Sequence, residues 1–214
     1  MSRDAILAKI DKANTGRTSQ SVTEDANALI DDPQSYRLAF DDMSVFERFK
    51  AKATSETVTA TVEILNVLSD VPKAVSAYLR DKNLAQEIAL QPRAALTDLD
   101  WSGIATVDTA SANQTVAITF AEAGIAETGS LVFQTAPDAP VLLNFLPLHH
   151  LVVLRTKTIK RYMEEVFDHF GTEAANQKRS LNIITGTSGT ADIEAKNVRG
   201  AHGPRFMHIY CIDG

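Results

Sequence analysis

Apolar residues follow one rhythm in the first part of the chain and another in the rest. Helical spacing occurs over residues 2–13 and again from Ser44, where Ser44 and Glu47 have the spacing of a capping box. Residues 14–33 between these stretches are polar and show no clear period, which predicts a loop or a loosely packed arm. Residues 1–56 are therefore predicted to form a helical N-terminal arm.

In the remainder of the chain, short β-branched runs alternate with helical stretches and loops. Ser69 and Pro72 begin one predicted helix, and a second is predicted from Thr158 to Phe170. Strands separated in this way predict an α/β domain over residues 57–214, with a largely parallel sheet flanked by helices. The apolar runs predict strands over residues 58–65, 86–90, 104–107, 115–120, 131–134, 141–146, 151–154, 181–184 and 206–212.

Composition excludes several classes of function. With 214 residues, a formal net charge of −6 and a pI of about 5.4, the chain lacks the basic balance of a nucleic-acid-binding protein. No apolar run approaches the roughly 20 residues of a membrane span, and the first residues contain no apolar signal core. We therefore expect a cytoplasmic protein that binds no nucleic acid and has no transmembrane segment.

Cys211 is the only cysteine of the chain. One thiol cannot form an intrachain disulfide, a zinc-ribbon site or a cysteine-ligated iron–sulfur cluster. Because Cys211 stands inside the last apolar run, a buried and inert thiol is predicted.

Two glycine-rich patches adjoin predicted strands, and sites in parallel sheets form outside the carboxyl ends of strands. The first patch, residues 123–132, reads AGIAETGSLV. It places the Glu127 carboxylate between Gly124 and Gly129, where it could serve as a general base or a nucleophile. Alternatively, Glu127 accepts backbone N–H bonds in a tight turn and only fixes the beginning of the next strand.

The second patch, residues 183–194, reads IITGTSGTADIE. Its small and hydroxyl-bearing residues can offer several backbone N–H groups to a phosphate, a carboxylate or a CoA pyrophosphate. A short helix capped by Thr190 and containing Glu194 would add the positive end of its dipole. Alternatively, these residues serve only a strand-to-helix connection. The chain has no Walker lysine and no dinucleotide fingerprint, so nucleotide hydrolysis and ordinary NAD binding are not supported.

Basic and imidazole side chains supply further candidates. Arg205 could hold a carboxylate, and His202 could transfer a proton near neutral pH, although both also fit a solvated polar turn. His149 and His150 point to opposite sides of a strand, so a shared metal is not expected and only one of them can face the site. The predicted ligand-binding residues are Gly124, Thr128, Gly129, His150, Gly186, Thr187, Ser188, Gly189, Thr190, His202 and Arg205, with Glu127 as the catalytic candidate.

Four motifs together carry a family resemblance. AETGSLV from Ala126 is followed by the Pro147–His150 segment, by ITGTSGTADIE from Ile184 and by AHGPR from Ala201. In this order they resemble the LUD-domain family, and within it the lactate utilization protein C type. The resemblance extends from Thr57 to the end of the chain. It implies a three-layer α/β fold of the superfamily that includes ribose-5-phosphate isomerase, glucosamine-phosphate deaminase and the CoA transferases.

The resemblance also implies a function. Proteins of this type act with two iron–sulfur partner proteins in the oxidation of L-lactate to pyruvate. The chain is thus expected to be an accessory subunit that binds a small anionic ligand or cofactor, with no covalently bound cofactor and with the clusters only in its partners. The chain departs from the usual motif because Thr187 stands where the family has proline and Gly189 where it has arginine. That arginine therefore cannot contact an anion here.

Two alternatives remain open from the sequence. A stand-alone enzyme similar to the CoA transferases or to formyltetrahydrofolate cyclo-ligase would bind CoA or a nucleotide by itself. A non-catalytic interaction module would use the glycine-rich loops only for its turns and would bind neither.

Overall fold

The structure is a computed structural model that describes residues 2–32, 35, 37, 39, 40, 42–109, 111, 114–171, 178–191 and 197–213. Contacts between residues divide the chain into two compact units, Met1–Asp42 and Met43–Gly214. Within the described residues, the buried apolar side chains all belong to the second unit, from Phe49 onward. The helix beginning at Val45, which the sequence prediction assigned to the N-terminal arm, lies in the second unit.

Among its described residues, the first unit contains the helices α1 (Arg3–Ala13) and α2 (Ser19–Asp31). The first of these was predicted. The second shows that the loop predicted over residues 14–33 is wrong, because most of that stretch is helical. Thr18 and Ser21 form a reciprocal capping box there, and serine in place of the usual Glu or Gln makes the signal hard to recognise.

The second unit is an α/β domain. Its helices are α3 (Val45–Ala53), α4 (Val71–Asp81), α5 (Ala94–Thr97) and α6 (Glu164–Phe170). Its strands are β1 (Thr61–Leu65), β2 (Glu87–Leu90), β3 (Ala105–Val107), β4 (Val116–Phe120), β5 (Ala123–Ile125), β6 (Ser130–Gln134), β7 (His149–Arg155), β8 (Ile159–Lys160), β9 (Leu181–Ile184), β10 (Gly189–Ala191), β11 (Asn197–Arg199) and β12 (Phe206–Ile212).

The central layer of this domain is a six-stranded parallel sheet in the order β1-β12-β7-β4-β2-β3. A four-stranded sheet in the order β8-β5-β6-β9 lies beside it, and β10 pairs with β11 in an antiparallel ladder. The prediction of a largely parallel sheet flanked by helices is therefore confirmed.

Each face of the parallel sheet buries apolar side chains against a different layer. On one face, Val75 and Leu79 of α4 pack on alternate residues of the central strands, such as Ile118 and Leu151. On the other face, Gly124 of β5 lies between the side chains of Phe49 in α3 and Leu154 in β7. The second sheet therefore packs closely against the first. These layers account for the three-layer fold.

Two predicted elements are wrong in part. The strand predicted over residues 141–146 is a 3₁₀ turn, Val141–Asn144, with Pro140 immediately before it. The helix predicted from Thr158 starts only at Glu164, because Ile159–Lys160 pairs with β5 and strand pairing overrides the helical apolar stripe.

Two expectations about the environment can be compared with the fold. The thiol of Cys211 is fully buried in β12, and burial raises its pKa to about 12, as expected for an inert thiol. In the part of the chain that the structure describes, no helix has the length and apolar character that crossing a membrane requires.

Candidate functional site

The two glycine-rich patches meet in the structure. β6 and β9 pair antiparallel, which brings Ser130 of the first patch beside Thr185 of the second. The Ser130 hydroxyl lies 2.6 Å from the hydroxyls of both Thr128 and Thr185. Both patches are recognisable in the sequence. Their contact is not, because Ser130 and Thr185 are more than fifty positions apart.

The central glycine of each patch is required by close packing. Gly129 and Gly186 both have φ of +72°, and a Cβ on Gly129 would lie 2.5 Å from the backbone nitrogen of Ala53. A Cβ on Gly186 would lie 1.9 Å from the carbonyl oxygen of Val58. The chain that leaves α3 therefore passes directly against both turns, and only glycine leaves enough room.

The predicted anion loop has a different structure from the one expected. Gly189–Ala191 forms β10 and pairs with β11, so the helix expected to start at Thr190 is wrong for the described residues. Asp192 and Glu194 lie outside those residues. The backbone N–H of Thr187 donates to the Val58 carbonyl at 3.1 Å, and that of Ser188 donates to the Pro204 carbonyl at 2.9 Å. Two donors predicted for an anion are thus used within the chain.

Arg199, which sequence reasoning missed, supplies the positive charge at this place. Its Nη1 donates to the hydroxyl of Thr187 at 2.8 Å and to the hydroxyl of Thr59, and its Nη2 donates to the Glu56 carbonyl at 3.3 Å. Among the residues that the structure describes, no carboxylate pairs with this half-buried guanidinium. We call Arg199, Thr59 and Thr187 the arginine cradle.

Thr59 holds an unusual conformation in the cradle. Its φ is +62°, in the left-handed region that β-branched residues rarely adopt. Its hydroxyl donates to the Val58 carbonyl at 2.7 Å and lies 2.6 Å from the Thr187 hydroxyl. Such conformations persist where surrounding contacts determine them strongly, and they concentrate at binding sites.

A cavity of about 520 Å³ adjoins the cradle, and Thr59 belongs to both. It lies between α4 and the amino ends of β1 and β12. This cavity is therefore at the opposite edge of the parallel sheet from the carboxyl ends at which the sequence predicted a site. The cavity is lined by Thr59, Thr61, Glu63, Ala74, Ala77, Tyr78, Asp81, Lys82, Phe206, Met207 and His208.

Polar side chains of the cavity form two hydrogen-bonded couples. The Thr61 hydroxyl lies 2.6 Å from Nδ1 of His208, and the Tyr78 hydroxyl lies 3.0 Å from Nδ1 of His149. The other nitrogen of His208, Nε2, is 3.4 Å from the Glu63 carboxylate, an attraction without hydrogen-bond geometry. The tilted rings of Tyr78 and His208 are 5.1 Å apart, so the two couples adjoin.

Burial sets the protonation of these groups. It lowers the pKa of His208, although the Glu63 carboxylate acts in the opposite direction. Burial also lowers the pKa of His149, with a smaller contribution from Lys82. It raises the pKa of Tyr78 to about 12. At neutral pH the cavity therefore presents the neutral imidazole of His208 and the neutral phenol of Tyr78, with neutral His149 behind Tyr78.

The remaining predicted residues of the first patch lie apart from the cavity. Gly124 is buried in β5 between Phe49, Leu154 and Ile159, so its place is explained by packing. Glu127 is half-buried and its backbone N–H donates to the Arg161 carbonyl at 3.1 Å. Its carboxylate has no hydrogen-bond or ion-pair partner within the described residues, so it does not accept the backbone bonds that the structural alternative required.

The two histidines of β7 point to opposite faces, as predicted. His150 is fully buried, lies 2.7 Å through Nε2 from the Thr119 hydroxyl, and contacts the ring of Phe133. Burial lowers its pKa to about 3. His149 instead stacks on Phe206 at 4.5 Å, on the face that carries the cavity. His149 is thus the member of the pair beside the cavity, whereas the prediction had selected His150.

The last predicted pair lies at the rim of the sheet. His202 is exposed in a turn that lines a separate open groove with Phe145 and Leu148. Arg205 is exposed, and its guanidinium carbon lies 5.6 Å from the ring centre of Phe206. Within the described ranges, no group of three or more acidic, histidine or cysteine side chains could hold a metal ion.

Comparison with known proteins gives a consistent result. The sequence model of the LUD domain matches residues 44–212. The uncharacterized protein YkgG of Escherichia coli (strain K12) is 28% identical over 168 residues, which are 77% of this chain and 72% of that protein. Lactate utilization protein C of Bacillus subtilis (strain 168) is 34% identical over 92 residues, 42% of this chain and 38% of that protein.

Two further similarities concern part of the sequence and the fold, respectively. Lactate utilization protein C of Halalkalibacterium halodurans is 32% identical over 102 residues, and the match spans 44% of its length. The chain thus matches less than half the length of the relatives that carry this name. A solved structure of a DUF162 family protein from Deinococcus radiodurans is similar in fold, with a TM-score of 0.57 and 17% identity. That similarity covers 81% of this chain and 99% of the other.

Proposed function

The chain belongs to the LUD domain family, and we propose that it is a cluster-free accessory subunit of an iron–sulfur system that oxidises L-lactate to pyruvate. Its similarity to relatives named lactate utilization protein C supports a role in lactate utilization. The single, buried cysteine supports a subunit without a cluster of its own. In this proposal two redox partner proteins hold the clusters, and no cofactor is bound covalently to this chain.

The arginine cradle is the part of the domain that we assign to the anionic group of the ligand. One observation carries this assignment: the half-buried guanidinium of Arg199 is held by oxygen acceptors, yet no carboxylate of the described residues neutralises it. A partly desolvated charge without a counter-ion favours an anion from outside. A guanidinium suits a carboxylate or phosphate because it can donate two parallel hydrogen bonds.

The two threonines prepare the guanidinium for this role. Thr59 and Thr187 bond to the same nitrogen, Nη1, which fixes the plane of the group before a ligand arrives. A preorganised donor loses less conformational entropy when it binds. In this proposal the cradle replaces the predicted backbone loop as the anion site. Thr187 belongs to the predicted loop and also to the cradle.

Reconstitution with partner proteins tests the accessory role. The tagged chain is co-expressed with the two iron–sulfur proteins of its own lactate-utilization system, and L-lactate-dependent reduction of a dye is measured with and without it. We expect the three proteins to co-purify. We also expect dye reduction to fall at least tenfold without the chain or with Arg199→Gln. Arg80→Gln is the matched control, because Arg80 is exposed on α4 and donates to the Ser76 hydroxyl, away from the cradle.

Either of two results would overturn the proposal. One is full L-lactate oxidation by the partners alone, and the other is no association in a preparation where all three proteins are folded. The same preparation also tests a stand-alone enzyme. Binding of CoA by the chain alone, abolished by Glu127→Gln and unaffected by Arg199→Gln, would favour an acyl-transfer site at the Glu127 carboxylate instead.

A further inference from the structure

We propose that the cavity beside α4 binds a planar heteroaromatic lactam whose phosphate or carboxylate tail lies in the arginine cradle. The inference rests on the proposed function in one respect, because it takes the cradle to be an anion site. It goes further by naming the class of ligand. Three features support this ligand: the size of the cavity, its aromatic walls and a hydrogen-bonding group that has no partner among the described residues.

The cavity is larger than a small hydroxy acid needs. Its volume of about 520 Å³ falls within the roughly 300–1,000 Å³ of pockets that enclose ligands of drug or cofactor size. Lactate in the cradle would leave most of this space empty. Because Thr59 both lines the cavity and bonds to Arg199, one ligand can reach from the cradle into the cavity.

Two aromatic side chains stand on opposite walls. Tyr78 belongs to the helix wall and Phe206 to the strand wall. The Phe206 side chain is 41% exposed, although its ring already stacks on His149 at 4.5 Å with an interplanar angle of 21°. The exposed guanidinium of Arg205 also lies over the Phe206 ring, 5.6 Å from its centre. A flat ligand that stacks on this rigidly backed ring would therefore replace the contact with Arg205.

The polar groups on the strand wall match the edge of a lactam ring. Nδ1 of His208 is engaged by Thr61, and Nε2 is buried with no hydrogen-bond partner among the described residues. The nearby Glu63 carboxylate favours the tautomer with the proton on Nε2, so His208 is a donor there. Glu63 itself is an exposed acceptor. A donor next to an acceptor complements the C=O and N–H of a lactam or imide.

Binding of five compounds to the folded chain, measured by isothermal titration calorimetry, tests this inference. Flavin mononucleotide and guanosine monophosphate both have a lactam edge and a phosphate tail. Adenosine monophosphate lacks the lactam edge, riboflavin lacks the tail, and inorganic phosphate lacks the ring. We expect one of the first two to bind at least tenfold more tightly than each of the other three, and the comparison between them identifies the ring system.

Variants separate the ring site from the cradle. Phe206→Ala should weaken the lactam nucleotide at least tenfold and leave inorganic phosphate unchanged, and Arg199→Gln should weaken both. Phe206→Leu serves if the alanine variant is poorly folded. Phe145→Ala is the matched control, because Phe145 is exposed to a similar degree, 40%, on a different groove. Glu63→Gln should reduce the preference for the lactam over adenosine monophosphate.

The outcomes distinguish this inference from the proposed function. If inorganic phosphate binds through Arg199 but no ring compound binds more tightly, or if Phe206→Ala changes nothing, the inference fails and the anion cradle stands. If adenosine monophosphate binds as tightly as the lactam nucleotides, the role given to His208 and Glu63 is wrong. If neither phosphate nor any nucleotide binds to folded protein, this inference and the assignment of the cradle as an anion site both fail, whereas the accessory role is decided by the reconstitution.

Discussion

Thr59 shows how single residues can hold a strained conformation at a binding site. Its left-handed backbone, with φ of +62°, costs an L-residue roughly 1–2 kcal/mol relative to glycine. Its hydroxyl contacts Val58, Thr187 and Arg199, and these contacts offset that cost. Thr59 therefore contributes more to the arrangement of the cradle than to the stability of the fold.

Replacing Thr59 by glycine should separate binding from stability. Thr59→Gly relieves the strain but removes three hydroxyl hydrogen bonds, each worth about 1 kcal/mol, so the free energy of unfolding should fall by only about 1–2 kcal/mol. Affinity for inorganic phosphate should fall about tenfold, because Arg199 loses a fixed partner. Urea unfolding and calorimetry measure the two quantities.

Asn83→Gly is the matched control for this substitution. Asn83 is the other non-glycine residue with positive φ in the described part of the chain, at +52°, and it follows α4 away from the cradle. Its replacement should alter stability only slightly and leave phosphate affinity unchanged. Equal phosphate affinity in Thr59→Gly and the original chain would contradict the role that we give to Thr59.

His150 should make the fold sensitive to mild acid. Burial lowers its pKa from 6.5 in the unfolded chain to about 3, so between these values the unfolded state binds a proton that the folded state excludes. The stability contributed by neutral His150 is therefore complete above pH 6.5 and is lost as pH falls. From pH 7 to pH 5 this amounts to about 2 kcal/mol of unfolding free energy.

Urea unfolding at several pH values between 5 and 7 measures this effect. The variant His150→Gln should be less stable at pH 7 but should show a shallower dependence on pH. An identical pH slope in the variant would mean that His150 is protonated as easily in the folded state as in the unfolded one.

At the scale of elements, most helices and strands were predictable because their signals are local. The capping box of Ser44 and Glu47 is present in α3, with the Ser44 hydroxyl accepting from the Glu47 N–H at 3.2 Å. The continuous apolar, β-branched runs of β4 and β7 predicted those strands to within a few positions. Where prediction failed, pairing with a distant segment decided the structure, as for Ile159–Lys160 beside β5.

The candidate site likewise depends on contacts between residues that are far apart in the sequence. Arg199 reaches Thr59 across 140 positions of sequence, and no local pattern marks that pairing. The glycine-rich motifs lie beside the candidate site, but the backbone N–H groups for which they were selected are used within the chain. The charge of Arg199 at this place is visible only in the three-dimensional structure.

Gly186 should tolerate substitution much less than other glycines with the same backbone conformation. In Gly186→Ala the new Cβ would lie 1.9 Å from the Val58 carbonyl oxygen, so the turn and the segment after α3 must separate. We expect a loss of about 3 kcal/mol or more in unfolding free energy. Gly171→Ala is the matched control, since its φ is +78° and no atom lies within 4 Å of its Cβ.

For Gly171→Ala only the backbone strain remains, so a loss of roughly 1–2 kcal/mol is expected. Thermal and urea unfolding of the two variants provide the comparison. Equal destabilisation would show that the segment after α3 does not pack against the Gly186 turn as described.

At the scale of the whole molecule, the second unit contains a hydrophobic core of its own, which is what independent folding requires. Every buried apolar side chain of the described residues lies between Phe49 and Ile212, and the LUD domain match covers residues 44–212. Neither α1 nor α2 contains a buried residue. The order of strands and the position of the cavity could not be predicted, because spacing along the chain does not specify which parallel strands become neighbours.

A chain that begins at Met43 should therefore fold by itself. We expect its unfolding midpoint in urea to match the main transition of the full chain, and its affinity for inorganic phosphate to be unchanged. Circular dichroism and calorimetry measure both. A shortened chain that is soluble but lacks a cooperative transition would show that residues 1–42 are needed for the domain to fold.

Calorimetric titration with inorganic phosphate and L-lactate measures whether anions bind to this domain through Arg199. Arg199→Gln removes one charge-assisted contact, so affinity should fall about 10- to 100-fold. Arg205→Gln, at the exposed residue that the sequence favoured, should change affinity less than about twofold. Binding that survives Arg199→Gln and disappears in Arg205→Gln would contradict the account.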